Sequence, residues 1–199
     1  MIRNSGFSRV ARAALTVPPR KVFISYSHLN QIEADRFVQQ FGGPTSILIM
    51  KTLGVSDQDD FIDSPNPAYV IQRIRDQYIQ DSTVTIVLIG LCTHSRRYID
   101  WEINASLQQG EGELPNGLIA IQLPSCPDGA FLPPRLETNW SPDDQHSYAR
   151  VWQYPPTDEC LRGWIEDAYN ARTTRAHLIS NSQDIMKSNA CCRVCGITH

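Results

Sequence analysis

Segment 96–106, RRYIDWEINAS, follows a buried apolar run and sets charged and aromatic side chains close together. Arg96 and Arg97 stand just ahead of Asp100, Trp101 and Glu102. A carboxylate held away from bulk water stabilises positive charge where it develops in a transition state. Arginines at a helix start add to backbone N–H groups that already favour anions. Simpler readings stand beside these. Most helical glutamates face solvent, the arginines serve equally as surface charges, and Asp100 is a helix N-terminal acid favoured by the macrodipole.

A second group lies in CCRVCGITH, with Cys191, Cys192, Cys195 and His199. C-x-x-C with a nearby histidine can complete a tetrahedral zinc site. Without a second knuckle it reads more simply as a mobile tail, and no metal is expected at the functional site.

Both groups need a scaffold. KVFISYS, after Pro18 and Pro19, alternates and is rich in strand formers. NQIEADRFVQQF follows with helical spacing and ends at Gly42 and Gly43. SILIMKTL reads as a second strand, GVSDQDDFIDSPNP as a polar loop, and AYVIQRIRDQYIQ as a helix with Val70, Ile71, Ile74, Tyr78 and Ile79 on one face. TVTIVLIG is a buried strand, RYIDWEINASLQQG the next helix, and GLIAIQLP a fourth strand. Beyond Pro124 the pattern weakens into Pro-rich loops, before a final helix in ECLRGWIEDAYNARTTRAHLI.

Strands alternating with helices predict an α/β fold with a parallel sheet covered on both faces. With four or five strands the flavodoxin-like order is expected, which puts the switch point between the first and third strands. The ends of those strands, Ser25–His28 and GLCTHSRR, then line one crevice, with Glu102 directly below. KVFISYS and TVTIVLIG are expected as adjacent parallel strands in the sheet centre.

The net charge of −3 argues against nucleic acid as the main partner, and no apolar run approaches the roughly 20 residues of a membrane span. The six cysteines do not form a disulfide framework, so a cytoplasmic location with reduced thiols is expected. Residues 1–19 form a basic leader that resembles an organelle transit peptide, or more simply a short basic helix. The expected organisation is this leader, a domain over 20–180 with a C-terminal helical extension, and a Cys-rich tail over 181–199.

KVFISYSH and VTIVLIGLCTHSRRYIDWEI, with the spacing between them, resemble the TIR-like domain family of bacterial anti-phage defence (Thoeris ThsB-like). The resemblance covers roughly residues 20–124 and is sharpest from Gly90 and Thr93 through Arg97 and Tyr98 to Glu102 and Ile103. It implies a flavodoxin-like, TIR-like fold and cleavage of NAD at the nicotinamide glycosidic bond. The product would be a cyclic ADP-ribose-type signal that activates a separate anti-phage effector. Glu102 is carried over as the catalytic glutamate, able to stabilise the oxocarbenium-like ribose as carboxylates do in glycoside cleavage. Ser25, Tyr26 and His28 would line the nicotinamide–ribose pocket, Arg97 would contact phosphate, and Trp101 would supply an apolar wall or pack in the core. NAD is then a substrate, with no cofactor. The absence of a GxGxxG fingerprint or P-loop agrees with consuming NAD rather than borrowing it. The partners implied are NAD, the downstream effector, a phage-derived trigger and a second copy of the chain. A non-catalytic assembly module and a plain NAD hydrolase are the alternatives. The Pro-rich loop after the second strand, and everything from Ser125 onward, depart from the family pattern.

Overall fold

The computed structural model describes residues 19–42, 48–52, 66–110, 112–126 and 130–199. The basic leader and most of the loop 54–67 lie outside the described residues. Five parallel strands form one sheet in the order β2-β1-β3-β4-β5: β1 (Arg20–Ser25), β2 (Leu48–Thr52), β3 (Val84–Ile89), β4 (Gly117–Gln122) and β5 (Arg150–Trp152). This is the flavodoxin-like order, with the switch point between β1 and β3. β1 and β3 are adjacent, parallel and paired on both edges, as their continuous apolar character predicts.

The helices are α1 (Gln31–Phe41), α2 (Pro67–Ile74), α3 (Arg97–Ser106), α4 (Pro134–Thr138) and α5 (Asp158–Thr174). Strand alternation divides the core between the two faces of the sheet. Val22, Ile24, Val84, Ile86, Leu88, Ile119 and Ile121 pack against α1 and α5 through Phe37, Phe41, Leu161 and Ile165. Phe23, Val87, Ile89, Leu118 and Ala120 point the other way, towards α2, α3 and α4. The helix of α2 continues as a π-turn over Arg75–Ile79. The extra residue per turn lets Ile74 and Ile79 stay buried in one cluster five positions apart.

Two elements were not legible as such. β5 and α4 both arise in the region read as Pro-rich loops. The final helix ends at Thr174, and a short 3-10 turn over Ala176–Leu178 follows.

Residues beyond α5 do not form a loose tail. They run alongside α3 in the opposite direction. Asn181 pairs with Asn104, the Met186 carbonyl accepts from the Trp101 indole at 2.8 Å, Asn189 Oδ1 accepts from the Arg97 backbone N–H at 2.9 Å, and Ala190 N–H donates to the Ser95 carbonyl. The mobile-tail reading is therefore corrected: Cys192 is fully buried. The cause is α3 itself, which offers polar groups along its outer side that need partners.

Candidate active site

Every residue of α3 from Ile99 to Ser106 is buried. The sheet covers one side of the helix, α2 another, and the returning chain a third. Four buried side chains on it are polar: Asp100, Glu102, Asn104 and Ser106. A buried polar group left unsatisfied costs about 1–3 kcal/mol, so the partners of these four identify the exception.

Ser106 and Thr85 share a hydroxyl hydrogen bond of 2.7 Å. Asn104 bonds to Asn181 and accepts from Gln108. Asp100 is bonded to Arg135 and accepts from the Met186 N–H at 2.8 Å. Glu102 is different. It is 5% exposed, and its Oε2 has no hydrogen-bond partner among the described residues. Burial pushes its carboxyl up to about 8, with the Ser25 hydroxyl partly offsetting the rise. The Ser25 Oγ is itself buried and completes no hydrogen bond.

The position of Glu102 follows from register. Ser106 meets Thr85 near the start of β3. One helical turn back from Ser106 is Glu102, displaced about 6 Å along the helix axis. Two residues up β3 from Thr85, about 6.6 Å, is Val87, which pairs with Ser25 of β1. Ser25 lies on the same sheet face as Phe23, the face that α3 covers. The glutamate thus arrives at the carboxyl ends of β1 and β3, where this topology binds ligands.

The loops above it are knit together. A Cβ at Gly90 would fall 2.2 Å from Asn30 Oδ1, so Gly90 leaves the space that the Asn30 side chain fills between the loops after β1 and β3. Arg96 Nε donates to Ser27 Oγ at 3.3 Å, and both residues are buried. Thr93 Oγ1 accepts from the Gly90 N–H at 2.8 Å and fixes the turn out of β3.

The other sequence-expected residues are spread around this crevice. Tyr26 is half-buried, and its hydroxyl donates to Gln31 Oε1 at 3.0 Å. His28 is exposed and opens the 3-10 turn His28–Asn30. Arg97 and Trp101 share another face of α3. The Arg97 guanidinium lies 4.8 Å from the Tyr98 ring centroid and 5.3 Å from that of Trp101. With Arg75, Asn104 and Lys187, Arg97 and Trp101 line a cavity of about 870 Å³ whose wall includes neither Glu102 nor Ser25. Ser25 and Glu102 are brought together; Arg97 and Trp101 are not brought to them in this state.

Asp100 is the acid of the first turn of α3, as expected, and it is also buried and paired. The ion pair with Arg135 is what the sequence reading did not foresee. Arg135, Asn30 and Ser27 were not singled out from the sequence. Arg135 sits in a Pro-rich stretch with no periodic signal, and its partner is 35 residues away. The Asn30–Gly90 contact has a faint signal, a glycine closing an apolar strand.

Fold and site define a flavodoxin-like, TIR-like α/β domain with a buried glutamate at its switch point. The family described as Thoeris protein ThsB, TIR-like domain, matches residues 23–128, more than half of the 199-residue chain. The chain belongs to that family. No curated protein matches it. No helix among the described residues is long and apolar enough to cross a membrane.

Proposed function

We propose that this protein cleaves NAD at the nicotinamide–ribose bond and releases a cyclic ADP-ribose-type nucleotide that activates an anti-phage effector. The observation that carries this reading is the buried Glu102 carboxyl at the carboxyl ends of β1 and β3, whose Oε2 has no hydrogen-bond partner among the described residues. Three neighbouring buried polar side chains on the same helix are held by hydrogen bonds, whereas Glu102 keeps one oxygen without a partner among the described residues.

In the reaction the C1′–N bond breaks heterolytically, and its electron pair leaves with nicotinamide as a neutral base. The ribose becomes an oxocarbenium-like cation, which ionised Glu102 stabilises from a site of low dielectric. At rest, burial favours the protonated carboxyl. A cationic nicotinamide riboside beside it favours the ionised form. Closure of the product follows when a nucleophile of the same ADP-ribose attacks C1′; attack by water gives linear ADP-ribose instead. Ser25, Tyr26 and His28 serve the nicotinamide–ribose end, while Arg97 and Trp101 line a separate cavity that Glu102 does not reach in this state.

The closed crevice supports an idle resting state. Asn30 against Gly90 and Arg96 on Ser27 leave Glu102 5% exposed. A phage-derived trigger or self-assembly would release that state by binding the open form better.

The experiment is incubation of purified protein with NAD, alone and with infected-cell lysate, with the products separated and identified. A cyclic product that accumulates with lysate and activates the effector is the expected result. Linear ADP-ribose alone would make it a hydrolase. No turnover under either condition would leave the domain an assembly module.

A further inference from the structure

We propose a structural zinc site formed by Cys92, Cys192, Cys195 and His199, which ties the segment after α5 to the turn that follows β3. The four ligand atoms converge from two parts of the chain about a hundred residues apart. Cys92 Sγ lies 3.6 Å from Cys195 Sγ and 3.3 Å from His199 Nε2. Cys195 Sγ lies 3.2 Å from His199 Nε2. The sulfurs of Cys92, Cys192 and Cys195 all lie within 4.8 Å of one another.

The Cys92–Cys195, Cys92–His199 and Cys195–His199 separations are close to the edges of a tetrahedron around zinc, and Cys192 joins the set through its sulfur, within 4.8 Å of the other two sulfurs. Zn–S bonds of about 2.3 Å and Zn–N bonds of about 2.0–2.1 Å set S···S edges near 3.8 Å and S···N edges near 3.5 Å. Three thiolates and one imidazole are a zinc donor set rather than one for magnesium or calcium. All four positions are filled by protein, so the site is closed and structural, not catalytic.

The backbone around Cys192 gives independent support. In Cys192-Arg193-Val194-Cys195-Gly196 the chain folds back on the first sulfur. The Cys195 N–H donates to Cys192 Sγ at 3.5 Å, and the Gly196 N–H donates to the Cys192 carbonyl at 2.9 Å. Gly196 has φ +71°, a conformation that favours glycine. Cys192 N–H bonds to the Ile197 carbonyl, and Cys191 bridges to Thr198, which brings His199 back beside Cys195. N–H donors aimed at sulfur suit a thiolate that a metal holds deprotonated. Further bonds orient the same parts. Arg193 N–H donates to His94 Nε2 at 3.0 Å, and the Asn189 side-chain amide donates to the His199 carbonyl.

The ligand set differs from the one the tail alone would offer. Cys191 is exposed, and its sulfur reaches only the Cys192 carbonyl, at 3.9 Å. Cys92, buried at the end of β3, takes its place. A disulfide between Cys92 and Cys195 would use two of the four groups and leave Cys192 and His199 without a role.

The test uses the full chain and a Cys191→Ser variant, both expressed with zinc and purified under reducing conditions. Metal content and zinc-edge X-ray absorption are measured on each. Equimolar zinc with three sulfurs and one nitrogen is expected in both proteins. His199→Gln, changed at a half-buried position of the packed tail, should lose the nitrogen ligand and most of the zinc. Three results would overturn the proposal: wild-type protein without zinc, a two-sulfur site in Cys191→Ser, or a Cys92–Cys195 disulfide in the mass spectrum.

Discussion

Asp100 and Arg135 meet as a fork on a fork, with Nε to Oδ1 at 2.9 Å and Nη2 to Oδ2 at 3.3 Å, and with side chains 3% and 0% exposed. The guanidinium also donates to Asn181 Oδ1 and to the carbonyls of Gln183 and Asp184. Removing either partner strands a buried charge, which costs about 3–5 kcal/mol. Arg135→Met and Asp100→Asn should both lower stability by amounts of that order in urea melts. The helix-dipole role expected from sequence would have cost only about 0.3–1 kcal/mol. An Asp100→Asn, Arg135→Met double variant should lose less than the two single losses added together.

Glu102→Gln should abolish NAD cleavage while the fold persists. Loss of one preorganised electrostatic group costs about 10²–10³ in rate. Product formation from NAD, beside matched thermal melts, measures this. Near-normal turnover by a folded variant would remove Glu102 from the chemistry.

The same residue makes stability depend on pH. Its folded-state carboxyl titrates near 8, above its ordinary value of 4.5. The native state therefore holds a proton that the unfolded chain releases as pH rises between those values. Stability is full below about 4.5 and falls as pH rises towards 8, by at most about 1.4 kcal/mol per pH unit. Glu102→Gln should flatten this part of the curve, and should melt higher than wild type at pH 8 but not at pH 4. If the ionised form is the reactive one, kcat/KM for NAD should rise with pH and level off above about 8.

Gly90→Ala should force Asn30 aside, since the new methyl would sit 2.2 Å from its side-chain oxygen. Overpacking of this kind costs about 1–3 kcal/mol. Asn30→Ala in the same chain should recover most of the loss, a coupling that a double-mutant cycle measures directly.

The central fold was legible because β1, β3 and β4 are apolar runs buried on both faces. β5 was not: it has three residues, all half-buried, too few for a period to emerge. Glu102 could be placed because it follows closely on the apolar strand β3, at the switch point that the strand order creates, and lies in the motif that carries the family resemblance. Arg135 and Cys92 could not be assigned their roles, because each acquires its partners only through tertiary folding. The C-x-x-C spacing marked one half of the cysteine cluster; nothing local marked the other half.

The antiparallel run beside α3 bears on where this protein can be cut. A chain stopped at residue 180, where the helical extension was expected to end, would keep all five strands and five helices. It would also strip Asn104 of Asn181, the Trp101 indole of the Met186 carbonyl, and the first N–H of α3 of its Asn189 acceptor. The shortened product would expose one flank of the helix that carries Glu102. A minimal expressible fragment therefore extends at least through Asn189. A protease that nicks between 180 and 189 would act on the helix that carries Glu102 without touching a residue of it.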